Sequence, residues 1–339
     1  MTSNVEISKM PSTSGRRFGM HVNQERMVIA ISAILFVFFS IALDGFFQVS
    51  NLLSLLQSVA VLGILAIGMA IVVIGRGIDL TMVAVMVFAV GWSFALGSSG
   101  MPIATALLLG LGFALLIGIL NGILVAYIEI PAIFVTLAVS TIVAGIGRFA
   151  LVDRDNVYID SDIGWLASLG TGHVLQIPVP VIVFAALACI AFVGLRYTRQ
   201  GRFIYAMGDN PLTARNAGIN MRPMTVLMYA ISSVIAFAAG IVMATTVSSV
   251  NTKLASSTMV YDIILVVVIG GIGLSGGKGS VLNVIAGTVL IGLLLNGMTI
   301  MDISFPVQNI IKSLILLVAI IFDSVLNPRD EQTSQQGDI

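Results

Sequence analysis

Apolar runs of membrane-spanning length follow one another along this chain from residue 28 to residue 325, separated by short polar or glycine-rich stretches. Read between charges and turn residues, they predict ten helices, at about 28–47, 52–74, 82–99, 102–126, 131–151, 178–195, 224–248, 258–273, 281–299 and 307–325. The hydrocarbon core of a bilayer is about 30 Å thick and a helix rises about 1.5 Å per residue, so about 20 apolar residues cross it. Runs 82–99 and 258–273 are short or rich in glycine. One of them is expected to be broken or re-entrant, which a membrane tolerates only where protein shields the backbone or a cavity receives it. The pattern predicts an all-α integral membrane protein of about ten transmembrane helices.

The polar stretches orient these runs. Lys9, Arg16, Arg17 and Arg26 precede the first, and Arg196, Arg199, Arg202, Arg215 and Arg222 fill the longest polar loop, between the sixth and seventh. Basic residues are retained on the cytoplasmic side, and six crossings separate the two groups, so both assignments agree. The stretch 152–177 carries Asp153, Asp155, Asp160 and Asp162 against Arg154 and is expected outside, with a short interfacial helix around Trp165. The expected organisation is a cytoplasmic segment 1–27, a membrane domain 28–325 with a cytoplasmic loop 196–222 and a periplasmic loop 152–177, and a cytoplasmic polar tail 326–339. The first run is too long for a signal-peptide core and is expected to be retained.

Composition agrees with lipid as the main solvent: 58% of the 339 residues are hydrophobic and 9% charged, against about 25% charged in soluble domains. Sixteen basic and sixteen acidic residues cancel, leaving no overall field to recruit nucleic acid. The single cysteine, Cys189, lies within an apolar run, and His21 and His173 are far apart in polar segments. No metal site, cofactor site or Ser-His-acid constellation is predicted.

Two glycine-rich motifs carry misleading signatures. Residues 271–276, GIGLSG, satisfy the bare dinucleotide pattern, which has meaning only between a strand and a helix of a soluble βαβ unit. Gly277-Lys278 resembles the end of a phosphate loop, yet Gly279 stands where a Mg²⁺-binding hydroxyl belongs. These glycines are expected to serve a tight turn or close helix packing. GRGIDL after the second run echoes them and hints at pseudo-symmetric halves.

Polar groups near the membrane form a short series: Asp79, Asn121, Glu129, Arg148, Asp262, Asn283, Asn296, Asp302 and Lys312. Most sit near a run's end, where interfacial water suffices. Asn121 and Asn296 lie deeper, as part of a polar pathway or of an interhelical hydrogen bond. In the basic loop, Asn210-Pro211 is a helix-start signal, 212–217 read as helical and Gly218 as the stop. A short helix flanked by arginines suits docking of a partner; the bland alternative is a loop whose arginines only set topology.

Four segments in this order resemble the permease subunits of bacterial monosaccharide ATP-binding-cassette importers, the group that includes the ribose permease. They are GRGIDLT at 75–81, NGILVAYIEIPAIFVTLA at 121–138, GRFIYAMGDNPLTARNAGIN at 201–220, and GGIGLSGGKGS at 270–280 followed by NGM at 296–298. The resemblance covers roughly 50–325. It implies a type II importer fold in the inner membrane and no catalysis by this chain. It also implies cytoplasmic ATPase subunits, a periplasmic sugar-binding protein, and a second permease subunit, identical or related. The family's coupling helix would fall on 210–218, with Arg202, Asp209, Asn210, Ala214, Arg215, Gly218 and Ile219 as coupling residues. Asp79, Asn121, Thr136 and Asn296 are the candidates for a translocation pathway or gate. Arg76, where the family usually has Gly, and Thr81 for Ser depart from the pattern; beside Asp79, Arg76 is placed for a local ion pair or an altered gate. Glu129 is also unusual for the family. The competing readings are an ion-coupled secondary carrier, for which no intramembrane charge cluster stands out, and an intramembrane enzyme, for which no catalytic set assembles.

Overall fold

The computed structural model describes residues 24–159 and 164–326. The remainder of the N-terminal and C-terminal segments lies outside the described residues, as do Lys9, Arg16, Arg17, His21, Asp160 and Asp162. The helices in chain order are α1 (Gln24–Ala42), α2 (Val49–Ile74), α3 (Met82–Ser98), α4 (Ile103–Ala126), α5 (Ala132–Ile146), α6 (Gly164–Thr171), α7 (Val179–Tyr197), α8 (Arg199–Asp209), α9 (Pro211–Asn216), α10 (Met221–Val247), α11 (Met259–Ile269), α12 (Val281–Ile300) and α13 (Phe305–Leu326). Eight are long and apolar enough to cross a membrane, and α3 and α11 are shorter apolar helices. Each of the ten runs read from hydropathy thus has its helix.

The differences have local causes. The first run ends early, at Ala42, because the chain turns through Gly45 at φ +83°. The fifth continues beyond Ile146 as a π-helical turn, Gly147–Leu151. The eighth shrinks to the 11 residues of α11, about 16 Å long. Its apolar composition carries on into residues 270–274, but Gly271 adopts φ +96° and the Asn283 amide caps the Gly270 carbonyl at 2.7 Å. α4, α5 and α7 each begin directly after a proline, Pro102, Pro131 and Pro178, which presets φ and has no N–H to leave unpaired.

Burial sorts the helices into an inner set and an outer ring. In the most apolar window of α2, 89% of residues are buried, against 6% in α13. Every residue of α3 from Met82 to Val90 is buried too. α10 packs against α2, α3 and, most extensively, α4.

The connections gather at two ends. At one, the 75–81 turn, the 127–131 link, α8, α9 and the 270–280 loop meet: the Gly277 N–H donates to the Ile74 carbonyl at 2.8 Å, the Tyr205 hydroxyl to the Gly279 carbonyl at 2.8 Å, and Arg222 pairs with Glu129 at 3.1 Å. At the other, strand β1 (Asn156–Tyr158) pairs antiparallel with a strand at Ser249–Asn251, and α6 lies beside them, its Gly170 carbonyl accepting from Gln57 at 3.0 Å. Asp155 there is gripped by Lys253 and Arg148, which hold its carboxyl below the usual range.

Candidate functional site

The polar loop at the first end folds into the expected short helix and a longer one before it. The Thr198 hydroxyl caps α8 by accepting from the Gly201 N–H at 3.1 Å. α8 buries Ile204 and Met207 and turns Arg202 and Asp209 outward. The Asn210 side chain then caps α9, accepting from the Thr213 N–H at 2.9 Å, while Pro211 occupies the first turn. Gly218, at φ +79°, ends it; its N–H reaches the Arg215 carbonyl, and that of Ile219 the Ala214 carbonyl at 3.1 Å. This is the left-handed C-cap in which glycine avoids the cost of a Cβ. Ala214 faces inward, and Leu212, Thr213, Arg215 and Asn216 face solvent. All seven residues expected to couple to a partner therefore lie on α8, on α9 or in the residues that cap α9 at its two ends.

Between α9, the end of α4 and the start of α10 lies an open groove of about 460 Å³, lined by Val125, Leu212, Arg215, Met221 and Arg222 among others. Its rim is tied by the Arg222–Glu129 pair and by Arg222 stacked 5.5 Å over the Tyr127 ring. Glu129, unusual on resemblance, sits at φ +63° and serves this tie.

Beneath this surface the 75–81 turn is pinned on all sides. Asp79 is fully buried; one carboxylate oxygen accepts from the Thr81 N–H at 3.0 Å and from the Thr81 hydroxyl, the other from the Ser232 hydroxyl of α10 at 2.7 Å. The Asn121 amide of α4 donates to the Thr81 oxygen at 2.9 Å. The Ile78 carbonyl accepts from Thr136 of α5 at 3.2 Å and from Tyr229 of α10 at 3.3 Å. Three of the four pathway candidates, Asp79, Asn121 and Thr136, thus converge on one turn, each with no exposed surface. The fourth, Asn296, is elsewhere, exchanging amide hydrogen bonds of 3.0 and 3.1 Å with Asn51 of α2.

Sequence reasoning missed Tyr229 and Ser232. Their spacing of three on one face of α10 was the available signal, faint because Ser and Tyr are unremarkable in an apolar helix.

The 270–280 loop is a packing element. Gly277 lies so close to Asp209 that an added Cβ would stand 2.5 Å from its backbone N, and Leu274 N–H donates to the Asp323 carboxylate at 3.2 Å. The Tyr205 phenol, raised in pKa by burial, stays protonated as a donor to this loop. A motif that mimics nucleotide-binding patterns here joins the ends of α2 and α8.

The family model described as branched-chain amino acid transport system, permease component, matches residues 51–322. The chain belongs to that family. It is a permease subunit of an ATP-binding-cassette transporter, a multi-pass membrane protein and not itself an enzyme. Among relatives, the ribose import permease protein RbsC of Haemophilus influenzae is 33% identical over 94% of this chain and 98% of its own. The galactofuranose transporter permease protein YtfT of Escherichia coli is 31% identical over 80% of this chain and 79% of its own. The fructose import permease protein FrcC of Rhizobium meliloti is 29% identical over 90% and 86%. No solved structure matches the permease at a significant level.

Proposed function

We propose that this permease is the translocating subunit of an importer that moves a monosaccharide, a pentose or hexose, across the bacterial inner membrane into the cytoplasm. A separate ATPase supplies the energy, a periplasmic binding protein delivers the sugar, and a second permease subunit, identical or related, completes the pathway. The observation that carries the reading is α9: a capped, solvent-facing helix presented on a basic loop, in a chain whose named relatives carry ribose, galactofuranose and fructose. A helix seated in a cleft of the ATPase would pass closure of the nucleotide sites to the spans as a rigid-body movement.

The end bearing α8 and α9 is assigned to the cytoplasm, together with both chain termini. It holds Arg76, Arg196, Arg199, Arg202, Arg215, Arg222 and Lys278, against Arg148, Arg154 and Lys253 at the opposite end, the asymmetry that retains an end inside.

A carrier driven by an ion gradient is the second reading. The observation in its favour is the pair of Lys312 on α13 and Asp262 on α11, 2.8 Å apart and largely buried within the spans. Their closure on one another leaves neither charge open to a coupling ion, which favours the first reading.

The test is reconstitution in liposomes with the ATPase and binding protein encoded beside it. Sugar-loaded binding protein is expected to stimulate ATP hydrolysis and drive uptake of a labelled pentose or hexose. Uptake by the lone chain down a proton or sodium gradient, indifferent to ATP, would overturn the reading.

A further inference from the structure

Arg76 reaches out of the 75–81 turn towards α8. Its Nε donates to the Gly208 carbonyl at 2.6 Å and its Nη2 to the Asp209 carbonyl at 3.0 Å. These are the last carbonyls of α8, where the helix dipole puts partial negative charge and where a guanidinium binds best. Asp209 is followed directly by Asn210, the cap of α9.

Arg76 holds this position with a left-handed backbone, φ +68°, a conformation that non-glycine residues keep only where surrounding contacts over-determine it. Gly276 packs against its side chain, and Gly208 is pressed against the Ile74 carbonyl and the Gly277 nitrogen. Two residues further on, Ile78 accepts from α5 and α10, and Asp79 from α10.

A continuous set of short contacts therefore runs from α9 through the end of α8 and the Arg76 guanidinium into the buried turn, and from there to α5 and α10. We propose that Arg76, which this chain carries where the resemblance expects Gly, is a positioning residue that tightens the link between α9 and the buried turn, so that its loss loosens the coupling of ATP use to transport. The inference rests on the transport reading above, and takes the chemistry of the ATPase as given. Planar, two-point donation makes Arg suited to a push-pull link, where a single point charge would pivot.

The test uses Arg76→Gly, Arg76→Lys and the unaltered chain. Glycine adopts φ +68° freely, so it removes the guanidinium and keeps the turn; lysine keeps one donor. In the reconstituted complex, ATP hydrolysed per sugar imported is expected to rise severalfold for Arg76→Gly, which loses both charge-assisted hydrogen bonds, with Arg76→Lys between it and the unaltered chain. A merely structural role would lower hydrolysis and uptake together and leave that ratio unchanged, which would overturn the proposal.

Amide hydrogen exchange on the purified full-length chain provides a readout that does not depend on transport. Arg76→Gly should speed exchange at the end of α8 and in α9, more than 100 residues away in sequence, while Arg76→Lys restores part of the protection. Unchanged exchange there overturns the link whatever the transport assay gives. An unaltered complex that shows neither stimulation nor uptake would instead sink the transport reading itself.

Discussion

Asp79 illustrates how much one buried residue can organise. Its carboxylate collects the Thr81 N–H, the Thr81 hydroxyl and the Ser232 hydroxyl, while Thr81 in turn receives the Asn121 amide. Asp79→Ala would leave those donors facing a void, at about 1–3 kcal/mol for each one left unpaired. Asp79→Asn keeps the shape and one acceptor oxygen. Thermal unfolding in detergent should therefore show a large fall for alanine and a clearly smaller one for asparagine; equal midpoints would mean that the hydrogen bonds do not hold the turn. Asp79 and Asn121 were legible in the sequence because a polar group in an apolar stretch is costly unless paired, and Thr136 entered only with the family resemblance. Their meeting point was not legible, since residues 79, 121 and 136 are joined only by tertiary packing. Arg76, three positions before Asp79 and expected to form a local ion pair or alter a gate, donates from its guanidinium to the carbonyls of Gly208 and Asp209, 132 and 133 positions away.

Among the helices, α4 and α10 make the most intimate pair, and small residues explain it. Gly110, Ala114, Gly118 and Gly122 recur every four positions along α4 and are all buried, the small-residue stripe that lets backbones approach where lipid supplies no hydrophobic drive. A Cβ at Gly118 would stand 2.6 Å from the Tyr229 carbonyl and 2.9 Å from the Ala230 Cα, and one at Gly122 would stand 2.5 Å from the Val226 Cα. These neighbours are backbone and cannot swing aside. Gly118→Ala should cost about 1–3 kcal/mol by overpacking, whereas Gly112→Ala on the same helix, with nothing within 4 Å of the new methyl, should leave the midpoint unchanged or raise it slightly. A thermal-shift comparison of the two checks this, and equal losses would point to the helix backbone rather than to its contact with α10. Helix number and approximate borders were readable from hydropathy because each run is bounded by charges, prolines or turns. The end of α11 was not, because glycine, isoleucine and leucine score as apolar whether or not they are helical.

At the scale of the whole molecule, the hydrogen bonds between connections sort the chain into two ends without reference to a membrane. The stretch after α5 pairs with the stretch after α10 through β1, and Asp155 ties to Lys253 at 3.0 Å. The links after α2, α7 and α11 meet at the other end through Ile74, Tyr205, Gly208 and the 276–279 glycines. That division requires α3 and α11 to count as crossings despite their length. The inner position of α3 and the flanking turns of α11 make this possible, since protein rather than lipid surrounds their ends. It requires also that Arg154 and Ala217 be separated by the membrane. In a Cys189→Ser background, a membrane-impermeant thiol reagent added to intact spheroplasts should label Arg154→Cys, whose side chain is 78% exposed, and should reach Ala217→Cys only after permeabilisation. Labelling of both from one side would break the ten-crossing topology. The reverse pattern would put the arginine-rich loop outside, where α9 could meet no cytoplasmic ATPase. With the expected pattern, the α9 surface, the Arg76 contact and the buried turn lie in sequence from the cytoplasm inward, the order that a movement imposed by ATP would have to follow.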